Sequence, residues 1–187
     1  MKFLIVGLGN PGVNYDDTRH NIGFKALDHV SKQANALFVS GKYGDKTSFK
    51  YKGRSIFLLK PNTYMNLSGL AVKYWMKKEK ISSSNLLIVT DDLNLLTGIL
   101  RLKTNGTDGG HNGLKNIQEV LGTTKYPRLR VGIGNTFSKG KQVDYVLGSW
   151  TEEEKFIINE KLKTINDMIL SYCFNGINNT MNFFNSK

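Results

Sequence analysis

Several features that define other protein classes are scarce or absent in this sequence. The single cysteine, Cys173, cannot form an internal disulfide, and its position in a helical pattern predicts a thiol in the core. No apolar run approaches the roughly 18 residues that a membrane span requires. The chain passes from Met1 directly into a strand-like run, without a small-residue cleavage site. We therefore expect a cytoplasmic protein that crosses no membrane.

Sequence signatures of metal sites and serine nucleophiles are also missing. The three histidines are scattered and show no recognised metal-ligand spacing. The G-x-S-x-G elbow that carries the serine of many hydrolases does not occur. We therefore expect no metal ion, and chemistry that does not depend on a serine nucleophile.

Acidic residues are few relative to basic ones. The sequence has 26 lysines and arginines against 15 aspartates and glutamates, which gives a net charge of +11. Such an excess favours a polyanionic partner through counterion release and electrostatic steering. Composition alone does not distinguish a nucleic acid from an anionic membrane surface, and a merely solubilising surface is a third interpretation.

The hydrophobic pattern alternates between strands and helices. This alternation predicts an α/β fold, with one domain over residues 1–187 and a twisted mixed, mainly parallel sheet that has helices on both faces. In such folds the functional site lies beyond the carboxyl ends of the strands. Strands are predicted over residues 2–6, 36–39, 47–59 (with a turn at 52–54), 85–91, 99–104 and 128–134; helices over 22–34, 68–78 and 113–121; and a long last helix from a Thr151–Glu154 capping box to Gly176.

The N-terminus, MKFLIVGLGNPG, places G-x-G-x-x-G directly after the first predicted strand. A dinucleotide-binding turn requires the helix to begin inside the glycine motif. Pro11 instead pushes Asn10 out of the helical region, and helical periodicity starts only near residue 22. We therefore expect no nucleotide cofactor. The glycines would let the backbone approach a ligand, and the rigid turn would present Asn10 to a polar group of the substrate.

Polar residues of the same few types follow several of the predicted strands. If their loops meet at one edge of the sheet, they surround a single cleft. A neutral imidazole there can take a proton from water while a carboxylate fixes its tautomer, and asparagines can hold carbonyl and amide groups or polarise an oxyanion. The pattern indicates hydrolysis by activated water. The residues concerned are Asn10, His20, Asn66, Asp91 and Asn112, in the segments GNPG, TRHN, NTYMNLSG, TDDLN and GGHNG.

Several of these positions also have a structural interpretation, and one of Asp91 and Asp92 could be a turn residue. His20 could cap the helix that follows it, and Asn66 could mark the start of the next helix. His111 and Asn112 could be loop and N-cap residues of the helix after the glycine loop. Residue types and spacing leave these alternatives open.

Five segments in this order resemble bacterial-type peptidyl-tRNA hydrolases, and the resemblance runs from residue 3 to about residue 150. It implies an enzyme that cleaves the ester between a peptide and the 3′-terminal ribose of tRNA, without a cofactor and as a monomer. The segments are GLGNPG with Tyr15 and TRHN, KPNTYMNLSG, DDLNL, GGHNGLK and RLRVGIG. The alternative is a non-catalytic RNA-binding protein of the same fold.

The resemblance also implies roles for individual positions. His20 matches the catalytic base, Asp91 the carboxylate that orients it, and Asn10 the residue that positions the substrate. The sequence departs from the family pattern in two loops: Leu96–Thr97 stand where the family often has proline, and the loop at 106–110 is less glycine-rich. Both departures leave the catalytic positions intact. The other matches are Asn66 and Asn112 for the peptide backbone and the 3′ end, Tyr15 and Met65 for the lining of the cleft, and Lys103 and Arg130 for the tRNA 5′ phosphate.

Overall fold

A computed structural model describes residues 1–186 of the chain. They form one seven-stranded sheet in the order β2-β3-β4-β1-β5-β7-β6. The strands are β1 (Lys2–Gly7), β2 (Val39–Gly41), β3 (Gly44–Tyr51), β4 (Arg54–Pro61), β5 (Leu86–Asp92), β6 (Leu100–Lys103) and β7 (Arg128–Gly132). The α-helices are α1 (Ile22–Gln33), α2 (Ser68–Glu79), α3 (Asn112–Leu121), α4 (Gln142–Val146), α5 (Glu152–Asn175) and α6 (Ile177–Phe184).

The middle of the sheet is parallel and its edges are antiparallel. Strands β4, β1, β5 and β7 run in one direction, whereas β2, β3 and β6 pair antiparallel to their neighbours. The predicted mixed sheet is therefore confirmed, and its parallel strands bring their carboxyl ends to one edge. None of the described helices is both long and apolar enough to span a bilayer.

Helices cover both faces of the sheet, as the continuous apolar runs of the central strands predict. Alternate residues of β1 point to opposite sides: Phe3 and Ile5 pack with α1 and α5, whereas Leu4 and Val6 pack with α2 and α3. Cys173 is buried in the first of these two layers, as predicted.

Most predicted elements lie within a few residues of their observed bounds. The capping box of α5 is present in both directions, with Thr151 and Glu154 each accepting a hydrogen bond from the other's backbone N–H. Helices α4 and α6 were not predicted, because they are only 5 and 8 residues long. Their apolar side chains, such as Ile177 and Met181 of α6, pack against the core but are only partly buried.

The N-terminal glycines serve packing between β1 and α1. A Cβ at Gly7 would lie 2.2 Å from the carbonyl oxygen of Gly23, and one at Gly23 would lie 2.3 Å from the backbone nitrogen of Leu8. Helix α1 starts only at Ile22, well beyond the turn, which agrees with our argument against a dinucleotide site. The expectation that these glycines bring the backbone close to a ligand is wrong for Gly7, because its close neighbour is the backbone of α1.

Candidate active site

Three strand-end loops meet at the carboxyl edge of the sheet, as the sequence predicts. Asp91 is the penultimate residue of β5, and His20 lies in a short 3-10 turn, Arg19–Asn21, that leads into α1. His20 Nδ1 is 2.9 Å from Asp91 Oδ2. On the neighbouring side, Asn10 Oδ1 accepts a 2.8 Å hydrogen bond from the backbone N–H of Met65, which joins the loops after β1 and β4.

The contact between His20 and Asp91 determines which imidazole nitrogen is available. A carboxylate can only accept a hydrogen bond, so Nδ1 of His20 carries the proton and Nε2 keeps its lone pair. Within residues 1–186, His20 Nε2 has no hydrogen-bond partner. Both residues are buried, with 8% of His20 and 4% of Asp91 exposed. The free lone pair is the position that a general base requires.

Electrostatics keep the pair in the same arrangement. Burial alone would lower the pKa of His20, but the charge and hydrogen bond of Asp91 outweigh this effect and raise that pKa above its usual value. Burial alone would raise the pKa of Asp91, but His20 and His111 hold it well below its usual range. Asp91 is therefore a carboxylate at neutral pH, and it stabilises the imidazolium form of His20.

Asp91 also binds a second histidine. His111 Nδ1 accepts hydrogen bonds from the backbone N–H groups of Gly113 and Leu114 at 3.1 and 3.3 Å, so His111 is the N-cap of α3. The proton is consequently on Nε2, which is 2.9 Å from Asp91 Oδ1 and 2.9 Å from Thr90 Oγ1. The structural interpretation of His111 as an N-cap is thus confirmed, but the residue also donates a hydrogen bond to the second carboxylate oxygen of Asp91.

These tautomers leave His20 as the candidate base. Both nitrogens of His111 are occupied, one by backbone donors and the other by its own proton toward Asp91. The two rings lie 4.8 Å apart and bind different oxygens of Asp91, so the carboxylate can stabilise charge that forms on His20 while it also accepts the N–H of His111.

The same three side chains are close enough to suggest a metal site, and the donor chemistry argues against one. The candidate ligand atoms of His20, Asp91 and His111 lie within 4.8 Å of one another. Coordination through Nε2 of His111 would require loss of its proton while Nδ1 still faces two N–H donors. A metal-bound histidine normally donates its other N–H to an acceptor. The three side chains are therefore better suited to share two imidazole N–H protons with the carboxylate than to bind a metal ion.

Asn10 is held so that its amide nitrogen remains available. Its backbone N–H donates to Asn21 Oδ1 at 2.8 Å, and its carbonyl accepts from Asn21 Nδ2 at 2.9 Å. Because Asn10 Oδ1 accepts from Met65, the orientation of the amide is determined, and Nδ2 has no partner among the described residues. Asn10 therefore offers a fixed, neutral donor near the turn of His20, to which Asn21 anchors it.

A cleft of about 550 Å³ extends from His20 and Asp91 toward the β6 edge of the sheet. Lys103, Arg130 and Asn112 line it, so three predicted ligands share a cavity with the base. Lys103 has no carboxylate partner among residues 1–186, whereas Arg130 Nε is paired with Asp92 and its two terminal nitrogens have no described partner. The volume is within the usual range of ligand sites.

Tyr15, Asn66 and Met65 do not line this cavity. Asn66 is exposed in the turn before α2, Tyr15 is half-buried in the loop after β1, and Met65 is buried next to Asn10. Among the described residues, the side chains of Tyr15, Asn66 and Asn112 form no hydrogen bond with His20 or Asp91. The structure thus pairs His20 with Asp91 and Asn10 with Met65, and Asn21, next to His20, joins the two pairs by binding the backbone of Asn10.

Comparisons with known proteins agree over the whole chain. The family model described as peptidyl-tRNA hydrolase matches residues 4–187. A peptidyl-tRNA hydrolase of Bacteroides fragilis is 54% identical over 187 residues, which is 100% of both chains. The crystal structure of peptidyl-tRNA hydrolase from Acinetobacter baumannii has a TM-score of 0.93 at 33% identity, covering 98% of this chain and 94% of that chain. This chain belongs to the peptidyl-tRNA hydrolase family.

The departures from the peptidyl-tRNA hydrolase pattern lie in two loops. Leu96 is exposed in the turn between β5 and β6, and the 106–110 loop forms part of the cleft wall. Neither segment contacts the side chain of His20 through a described hydrogen bond.

Sequence reasoning missed a buried cation in the cleft. Arg128 is 2% exposed, lines the cavity and donates to the carbonyl oxygens of Thr107 and Thr124 at 2.7 and 3.3 Å. It therefore fixes the glycine-rich loop that forms one wall. Its position two residues before Arg130 in RLRVGIG, on the same side of the strand, was the available signal.

Proposed function

We propose that this chain hydrolyses the ester bond between the peptide and the 3′-terminal ribose of peptidyl-tRNA, with His20 as the general base. One observation carries the proposal. The imidazole of His20 has its Nδ1 proton on Asp91 and its Nε2 lone pair free, in a buried turn at the end of a ligand-sized cleft.

In the first step, His20 Nε2 takes a proton from a water molecule while the water oxygen attacks the ester carbonyl. Asp91 stays ionised and stabilises the imidazolium that forms, because it accepts a hydrogen bond from the Nδ1–H group of His20 at 2.9 Å. The carbonyl oxygen becomes negatively charged in the tetrahedral intermediate. The free amide N–H of Asn10 is proposed as a neutral donor to this oxygen, and Asn112 at the start of α3, which lines the cleft, is a second candidate.

In the second step, the intermediate collapses and the bond to the ribose 3′ oxygen breaks. The imidazolium of His20 returns its proton to the leaving oxygen, so the products are a free 3′ hydroxyl on tRNA and a peptide carboxylic acid that ionises in water. His20 ends the cycle neutral and needs no external oxidant, reductant or metal.

The cleft gives the tRNA a path that carries positive charge. Lys103 and Arg130 lie in the same cavity as His20, toward the β6 edge, and their free donors suit the 5′ phosphate of the acceptor stem. Asn66, Tyr15 and Met65, which do not line this cavity, are proposed to contact the peptide. We further propose that the protein acts as a monomer, in the cytoplasm where peptidyl-tRNA is made.

The competing function is a non-catalytic RNA-binding protein with the same fold. A protein that only binds RNA needs the basic cleft but not a buried imidazole whose tautomer is fixed by a carboxylate. The arrangement of His20 and Asp91 therefore favours the hydrolase.

The decisive experiment measures release of an N-blocked amino acid from tRNA, with unblocked aminoacyl-tRNA as the comparison substrate. His20→Ala should lower the rate by at least about 10²-fold, the lower end of a general-base contribution. His29→Ala is the matched control, because His29 lies in the middle of α1 outside the cleft. A wild-type protein that binds the blocked tRNA without cleaving it would establish the RNA-binding alternative.

A further inference from the structure

The turn that carries His20 is anchored by three consecutive buried side chains. Arg19, His20 and Asn21 are 7%, 8% and 1% exposed. Asn21 binds the backbone of Asn10, and His20 binds Asp91 at the end of β5. Arg19 reaches in a third direction, toward the N-terminus of α5. The three anchors lie on three different elements of the fold.

Arg19 is held by a two-pronged ion pair with Glu154. Its Nε is 3.2 Å from Glu154 Oε1 and its Nη2 is 2.7 Å from Oε2. Its Nη1 donates to the carbonyl oxygen of Tyr145 at 3.1 Å, and the guanidinium carbon lies 4.3 Å from the centre of the Tyr145 ring. All three donor nitrogens of the guanidinium group are thus used, which leaves the side chain one orientation.

Glu154 is itself fixed from a second side. Its Oε2 accepts the backbone N–H of Thr151 at 2.8 Å, in the capping box that begins α5. Burial alone would raise the pKa of Glu154, but hydrogen bonds from Arg19 and Thr151 lower it, so the group is charged at neutral pH. The carboxylate therefore links the helix end to the turn of His20.

Backbone contacts also join the turn of His20 to the segment between α4 and α5. The Arg19 N–H donates to the carbonyl of Gly148 at 3.1 Å, and Thr18 forms an isolated β-bridge with Ser149. A Cβ at Gly148 would lie 3.1 Å from Arg19 Nη1, so the glycine leaves room for the guanidinium group. Residues of α4 just before this segment line the cleft.

We propose that Arg19 and Glu154 are positioning residues that hold the turn of His20 against the α4 wall of the cleft. This inference rests on the proposed role of His20 as general base. The hydrogen bond to Asp91 fixes only one point of the imidazole, and the ring can still tilt about that point if its backbone moves. The Arg19–Glu154 pair adds a side-chain anchor to the backbone contacts of this turn and so restricts the direction of Nε2.

The expected effect is on turnover rather than on substrate affinity. A displacement of about 1 Å at a reacting group can lower a rate about 10²-fold. Arg19→Gln and Glu154→Gln should therefore reduce kcat by about 10- to 100-fold, while KM for blocked aminoacyl-tRNA stays within about threefold because Lys103 and Arg130 are unchanged.

The test measures kcat and KM for both variants well below their melting temperatures. Thr151→Ala is the matched control: it removes the capping hydroxyl of α5 and leaves the Arg19–Glu154 contact, so it should lower Tm but keep kcat within about twofold. An independent readout is the imidazole N–H spectrum, in which the proton shared by His20 and Asp91 should change in Arg19→Gln and Glu154→Gln and not in Thr151→Ala. The chain has only three histidines to assign.

Folded Glu154→Gln protein with wild-type kcat and an unchanged His20 signal would overturn the inference, even if Arg19→Gln failed to fold. A loss of kcat in Thr151→Ala equal to that in Glu154→Gln would also overturn it, since helix capping would then explain both. The His20→Ala variant separates the two proposals in the same assay. If His20→Ala is inactive and Glu154→Gln is normal, only the positioning role fails; if His20→Ala is active, the proposed mechanism fails.

Discussion

Replacing Asp91 by asparagine tests the site more sharply than removing the base, because the change keeps the size of the side chain. Asp91 accepts one N–H from each of two histidines, at 2.9 Å on both oxygens. An asparagine has one acceptor oxygen and one donor nitrogen, and the proton of His111 cannot move because backbone N–H groups occupy its Nδ1. The oxygen of the introduced amide must therefore face His111, and its NH₂ group must face His20.

Facing an NH₂ donor, His20 adopts the other tautomer, with its proton on Nε2. The lone pair that would accept the proton of water is then lost. The same change in a serine-protease triad lowers kcat by about 10⁴ through the wrong tautomer, and general-base catalysis is typically worth about 10²–10⁴. We expect Asp91→Asn to lower kcat by about 10³–10⁴, or about 4–5.5 kcal/mol of transition-state stabilisation.

The assay is hydrolysis of N-blocked aminoacyl-tRNA under single-turnover conditions, with folding checked by circular dichroism. Asp45→Asn is the matched control, because Asp45 lies on the β2–β3 hairpin and binds the hydroxyl of Ser40. Folded Asp91→Asn protein that keeps more than about a tenth of the wild-type rate would refute the tautomer argument, since general-base catalysis is worth at least about 10²-fold.

Three further results are expected. Lys103→Ala and Arg130→Ala should each reduce the slope of log affinity for tRNA against log salt concentration by about one unit. Lys163→Ala on α5 is the control and should leave the slope unchanged; equal slopes in all three variants would remove both residues from the phosphate contact. The hydrolysis rate should rise with pH and level off above the pKa of His20, which is raised in the folded state; a rate independent of pH from about 6 to 8 would contradict this. The raised pKa also stabilises the fold when His20 is protonated. That stabilisation is complete below about pH 6.5 and is lost as the pH rises through the folded-state pKa. Gly7→Ala should destabilise the fold by about 1–3 kcal/mol, visible as a lower Tm, because its Cβ would overlap a backbone carbonyl of α1; an unchanged Tm would contradict the packing role.

Local signals in the sequence were sufficient for most of the fold. Continuous apolar runs identified β1 and β5, the Thr151–Glu154 pair marked the start of α5, and Pro11 excluded a helix inside the glycine motif. These predictions held because each depends on neighbouring residues. Helix α6 was missed because it is only 8 residues long and its apolar side chains are only partly buried against the core. The residue at its end, Asn185, pairs with both backbone groups of Leu102 at the β6 edge, a contact that no local pattern indicates.

The sequence by itself determined which residue types follow each strand, and hence that asparagine, histidine and aspartate collect at the carboxyl edge of the sheet. Only the tertiary structure decided their pairing. His20 and Asp91 are separated by 71 positions, and Arg19 and Glu154 by 135, so their contacts depend on strand order and register, which hydrophobic periodicity does not specify. The proton positions follow from those contacts: backbone donors fix the tautomer of His111, Asp91 fixes that of His20, and one nitrogen is left to act on water.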